Sequence, residues 1–126
     1  MTSDDLQDQW QGALDRYDAI DTPIAEFNAA LIRALRPSWE HRVRVATSMF
    51  RLWFMHPETA TWPFEELVQV EYETDDRVSI SLRRNAPRRG DARPVGPVIV
   101  AGDITRPENA LPVVESFLMQ IASQVP

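Results

Sequence analysis

An α+β fold is what this sequence predicts, on three observations. Two amphipathic helical stretches open the chain, Leu67 to Arg83 alternates as a β-hairpin, and an apolar strand runs into a last amphipathic helix. The expected architecture is an N-terminal αα-hairpin with a third helix, a small antiparallel sheet built on the β-hairpin, and a C-terminal helix packed on that sheet. At 126 residues the chain is about one domain, residues 1–126, long enough to bury on the order of two thirds of the surface its unfolded form exposes.

The first helix starts from Ser3 as N-cap, with Asp4 and Asp5 at the positive end of its dipole. Leu6, Trp10, Ala13, Leu14, Tyr17 and Ile20 follow at helical spacing. Thr22 caps the second helix, with Pro23 in its first turn. Its expected stripe is Ile24, Phe27, Leu31 and Leu35, and Pro37 is expected to stop it. So short a connection folds the two helices into a hairpin.

Ser38 to Met55 can be read two ways. Arg42 to Thr47 alternates like a strand, yet as a helix Trp39, Val43, Ala46, Phe50 and Trp53 fall on one stripe at intervals of four and three. Read as one strand, the even positions start with Glu40, Arg42 and Arg44 and end with Phe50, Leu52 and Phe54. Neither face stays apolar, so periodicity favours a third helix, with His41 on its polar arc and His56 at its end.

The hairpin is the clearest element. Val68, Val70 and Tyr72 alternate with Gln69, Glu71 and Glu73, and Val78, Ile80 and Leu82 alternate with Arg77, Ser79, Ser81 and Arg83. Pairing Val68 with Leu82, Val70 with Ile80 and Tyr72 with Val78 keeps both apolar rows on one face. It leaves Thr74 to Asp76 as a three-residue loop and sets Glu73 against Arg77. A slip of one residue would turn a whole row into water. Arg84 to Pro97, with three prolines and two glycines in fourteen residues, is a long loop. Val98 to Ile104 is a continuous apolar run of the kind expected at a sheet centre with both faces covered. Thr105 or Asn109 then opens the last helix, whose stripe is Leu111, Val114, Phe117, Leu118 and Ile121, with Pro112 confined to its first turn.

Composition narrows the chemistry. The chain has no cysteine, and all thirteen of its basic residues are arginine. Thiol nucleophiles, thiolate zinc sites, Schiff-base amines and a phosphate-loop lysine are therefore excluded. The absence of cysteine fits a reducing cytoplasm, and the N-terminus lacks the basic start and apolar run of a signal peptide. No apolar stretch reaches membrane-spanning length, so no membrane partner is expected. A net charge of -6 argues against general nucleic-acid binding.

His41 and His56 stand in no metal-ligand spacing, and Glu71 and Glu73 share their strand face with arginines, which suits an ion-paired surface better than an acid/base dyad. No catalytic residue, cofactor or metal site is assigned from the sequence.

The features that suggest binding are aromatic and electrostatic. Trp62, with Phe64 close by, falls in a proline-bounded loop, where tryptophan serves as an interface anchor or as a lid on the hairpin. Trp10, Trp39 and Trp53 are expected in the core. From Arg83 to Arg93 the loop holds Arg83, Arg84, Arg88, Arg89 and Arg93 against Asp91, a local charge of +4. The opposite sign dominates the first 21 residues, where six aspartates face one arginine. An arginine cluster of this kind either recognises phosphate or carboxylate, as on an acidic protein surface, or is simply a solvated loop.

In size, acidity and lack of cysteine the chain resembles, in type and without a shared motif, small bacterial binding proteins such as toxin-immunity proteins and secretion chaperones. The expected function is accordingly a non-catalytic protein-binding module. The competing expectation is a small ligand-binding protein or enzyme with a pocket between helices and sheet, lined by Trp53, Tyr72, His56 and Asp103.

Overall fold

Helix formation at the N-terminus follows the caps. In the structure, a computed structural model that describes residues 3–58, 66–84 and 98–122, α1 spans Ser3–Asp18 and α2 spans Pro23–Trp39. The Thr22 hydroxyl accepts a hydrogen bond from the Ala25 amide at 3.2 Å, satisfying one of the free N–H groups of the first turn. Leu6, Trp10, Ala13, Leu14 and Tyr17 are buried as their spacing requires.

The stripe of α2 is rotated from the expected one. Ala25, Asn28, Ala29, Leu31, Ile32, Leu35 and Trp39 are buried, whereas Ile24 and Phe27 are half-buried. Pro37 does not end the helix, which continues to Trp39. Burying that indole is worth roughly 4 kcal/mol by area, enough to offset about 3 kcal/mol for an interior proline.

The third helix expected over Ser38 to Met55 is instead a second β-hairpin. β1 is Arg44–Ser48 and β2 is Arg51–Met55, paired antiparallel with Val45 opposite Phe54 and Thr47 opposite Leu52. The register explains why periodicity misleads here. A two-residue turn joins positions of opposite parity, so odd residues face the core before the turn and even ones after it. Val45, Leu52 and Phe54 are all buried, a pattern invisible to any single alternation running across both arms.

The turn lacks the usual marker as well. Met49 and Phe50 stand where Asn-Gly or Gly-X is favoured, and Met49 has φ 57, the one positive φ at a non-glycine among the described residues. Two buried side chains hold it. The Tyr17 hydroxyl donates to the Met49 carbonyl and the Asn28 amide donates to the Phe50 carbonyl, each at 3.0 Å. His41 consequently lies in the turn after α2, its Nε2 3.5 Å from Glu40 Oε1, and His56 follows β2 directly, its Nδ1 accepting from the Glu58 amide at 3.0 Å.

β3 (Glu66–Thr74) and β4 (Arg77–Arg84) form the expected central hairpin in the expected register: Val68 faces Leu82, Val70 faces Ile80 and Tyr72 faces Val78. A bulge between Tyr72 and Thr74 brings Thr74 opposite Arg77, so the loop shrinks to Asp75 and Asp76. Glu73 still reaches Arg77, at 2.6 Å.

β5 (Val98–Thr105) pairs with β4, and the five strands run β1-β2-β3-β4-β5, all antiparallel neighbours. The apolar run expected at the sheet centre is therefore an edge strand. After a 3-10 turn at Pro107–Asn109, α3 spans Ala110–Ala122, with Val114, Phe117, Leu118 and Ile121 buried and Pro112 in its first turn.

One core joins the layers. Buried faces of α1, α2 and α3 meet Val45, Leu52, Phe54, Val68, Val70, Val78, Ile80 and Leu82 on one side of the sheet. At its centre the Trp10 ring lies 5.7 Å from that of Phe54 and donates its Nε1 hydrogen to the Val43 carbonyl at 3.0 Å. Trp39 is also buried, and the Arg42 guanidinium stacks over it at 4.3 Å.

Candidate functional site: the outer face of the sheet

With the helices on one side, the polar rows of the strands form the other. Alternation places Arg51 and Trp53 of β2, Gln69, Glu71 and Glu73 of β3, and Ser79, Ser81 and Arg83 of β4 on this outer face. Contacts between strands tie the row together. Trp53 Nε1 donates to Gln69 Oε1 at 3.1 Å, Arg51 pairs with Glu71 at 3.2 Å, and the Ser79 hydroxyl donates to Glu73 at 2.7 Å. Arg83 Nε donates to the Ser81 hydroxyl at 3.1 Å.

Trp53 is thus a half-exposed member of the surface rather than the core residue expected, because the hairpin turns its side outward. One end of the face is buried, at Met55, Leu67, Gln69 and Ser81. A groove of about 550 Å³ opens from Gln69 and Ser81 onward, with Glu71, Glu73 and Ser79 on its floor and Ile99, Gly102 and Ile104 of β5 along its rim.

The rim is aliphatic and open to solvent. Ile99 is 59% exposed and Ile104 56%. Since the floor polar groups are largely satisfied by one another, a molecule lying over them would gain from the isoleucines without stripping water from unpaired charges. Glu71 and Glu73 have guanidinium partners, as an ion-paired sheet face requires. Among the described residues no group of three His, Asp or Glu side chains could hold a metal ion.

Of the binding candidates singled out in the sequence, Arg84 alone lies among the described residues. Trp62, Phe64, Arg88, Arg89 and Arg93 lie outside the described residues. Arg84 ends β4 and is ion-paired with Glu66 across the ladder, so its charge is already engaged. The four residues expected to line a pocket between helices and sheet are dispersed. Trp53 faces outward, His56 follows β2, Asp103 sits on the edge strand, and Tyr72 packs inward against Phe27 with ring centroids 5.2 Å apart. The acidic face of α1 is exposed as expected, with Asp18 paired to Arg33 at 2.5 Å and Asp15 accepting from Gln11 at 2.7 Å.

Sequence reasoning misses the groove because its floor reads as an ordinary solvated row and its rim as a covered central strand. The available signal is Gly102 and Asp103 interrupting an otherwise apolar run, which suits an edge better than a centre.

Both tyrosines have raised pKa values. Tyr72 is pushed up to about 12, chiefly because its hydroxyl donates to Asp75 at 2.5 Å and ionising it would set two anions together. Tyr17 is raised by burial, against opposing effects of Arg16 and Asn28. Each favours the protonated phenol in the folded state, so its stabilisation is complete below the unfolded value near 10 and is lost as pH rises through the folded value. An absorbance titration of tyrosinate should show ionisation displaced above about pH 10, and Asp75→Asn should bring the Tyr72 step back toward it. An unshifted titration would contradict the Tyr72–Asp75 contact.

No helix of the described residues is long and apolar enough to cross a membrane. No protein-family model, curated protein or solved structure matches this chain.

Proposed function

We propose that this protein is a non-catalytic protein-binding module whose partner docks on the open part of the outer sheet face. The observation that supports this most is the groove beside β5, where exposed Ile99 and Ile104 border a floor of mutually satisfied polar groups. Aliphatic anchors around a polar platform are the ingredients of a specific, reversible protein interface. Binding at a fixed stoichiometry would place the chain with immunity proteins and secretion chaperones in mode of action, working in the cytoplasm.

Charge assists encounter. The acidic face of α1 and the arginines of residues 83–93 put charges of opposite sign in different parts of the chain, which steer association and select among partners more than they add affinity. Arg88, Arg89 and Arg93 suit an acidic patch on the partner, while the groove takes its apolar part.

Co-expression with the products of neighbouring genes, followed by calorimetric titration of the purified pair, tests the reading. Saturation at a fixed ratio is expected, with loss of binding for Ser79→Arg, which fills the groove, and retention for Asp15→Arg on the helical side. Equal retention by both variants would refute the outer face as the docking surface.

A further inference from the structure

β5 ends the sheet with an apolar strand that has no neighbour on its outer side among the described residues. Edge strands of soluble proteins are ordinarily protected by charge, proline or shortness, because their free N–H and C=O groups template pairing with another strand. Within Ile99 to Ile104 the only charged residue is Asp103, there is no proline, and three aliphatic side chains are half or more exposed. The Ile104 amide donates to Asp103 Oδ1 at 2.8 Å, a contact within the chain that a strand completing this edge would replace.

The identity of that strand follows from the register. Ile104 lies opposite Ser79, Gly102 opposite Ser81 and Ile99 opposite Arg83, all on the outer face. In a regular strand, residues 99 and 104 would point to opposite sides. The irregularity between Leu82 and Arg83 leaves Val100 without a partner in the ladder, and this extra residue turns Ile99 to the same side as Ile104. Measured along β4, the two isoleucines are therefore equidistant from Gly102.

We propose that β5 pairs antiparallel with β5 of a second copy of this chain about a two-fold axis through Gly102. The axis sets Ile104 opposite Ile99 of the second copy, and Ile99 opposite its Ile104, so the outer rows match themselves as an isologous interface requires. On the inner row Asp103 meets Ala101 of the second copy, both being opposite core residues of β4, Ile80 and Leu82. The two Asp103 carboxylates meet only diagonally. The two five-stranded sheets become one continuous sheet, with the outer faces joined and four isoleucines at the seam.

This inference goes beyond the binding reading and does not depend on it, since it is tested on the purified chain alone. The chain has no cysteine, so a single introduced thiol reports its own symmetry mate. A Cβ at Gly102 would make only ordinary contacts, 3.6 Å from the Ile80 carbonyl oxygen and 3.9 Å from Ile99 Cγ2, so Gly102→Cys is accommodated. Sedimentation of the unmodified protein should give twice the 14.4 kDa chain mass. Oxidised Gly102→Cys should convert largely to a covalent dimer, and Asp103→Cys, with its thiols diagonal, should form far less. Adding Ile104→Lys to Gly102→Cys should abolish the cross-link and return the protein to monomer. A monomeric unmodified protein, or a dimer that survives Ile104→Lys with the circular dichroism of the parent, would overturn the proposal.

Discussion

Trp10→Ala is expected to lower the unfolding free energy by about 3 to 5 kcal/mol, the largest single effect in the molecule. Trp10 is fully buried where α1, β1 and β2 converge, so its removal leaves a cavity beside Phe54 and an unpaired carbonyl on Val43. For a domain of this size the loss corresponds to a melting-temperature drop of roughly 10 °C or more. Trp10→Phe keeps most of the apolar area and forfeits the hydrogen bond, so its cost should be about 1 to 2 kcal/mol. Urea unfolding separates the two. A cost below about 1 kcal/mol for the alanine variant would mean that this ring does not anchor the second hairpin to the helices.

Asn28→Ala should cost about 1 to 3 kcal/mol, because it strips the donor from the Phe50 carbonyl and empties a fully buried site. The companion substitution acts in the opposite direction. Met49 has φ 57 and a side chain 77% exposed, so Met49→Gly relieves backbone strain and gives up little packing. A gain of about 1 kcal/mol is expected after the greater freedom of an unfolded glycine is counted. If Asn28 and Tyr17 hold the strained turn, the two effects are coupled. The double variant should depart from additivity by about 0.5 kcal/mol or more, and strict additivity would show that the carbonyl contacts are incidental.

Where a signal is local and repeated, it is legible in the sequence. Thr22 with Pro23 marks the start of α2, and the alternation from Leu67 to Arg83 is enough by itself to specify the three core pairs of the central hairpin. What is not legible depends on partners distant in sequence. Met49 and Phe50 carry no turn signature, and only Tyr17 and Asn28, from two different helices, make that turn tenable. The stripe of α2 shifts for a similar reason, since Trp39 and Asn28 are drawn inward by contacts that helical spacing does not encode.

The candidate site is obscured by the same mechanism. An apolar run reads alike at the centre of a sheet and at its edge, and only the strand order shows that β5 has one neighbour among the described residues. Glu71 and Glu73 are legible as an ion-paired row, yet their role as the floor of a groove emerges only when Ile99 and Ile104 stand beside them.

The central claim is that recognition uses the outer sheet face, and amide chemical-shift mapping during titration with a partner tests it most directly. Perturbations should concentrate on Arg51, Trp53, Glu71 to Glu73, Ser79 to Arg83 and Ile99 to Ile104, leaving the exposed sides of α1 and α2 unchanged. Perturbations confined to the exposed sides of α1 and α2, with the β4 and β5 amides unmoved, would contradict it.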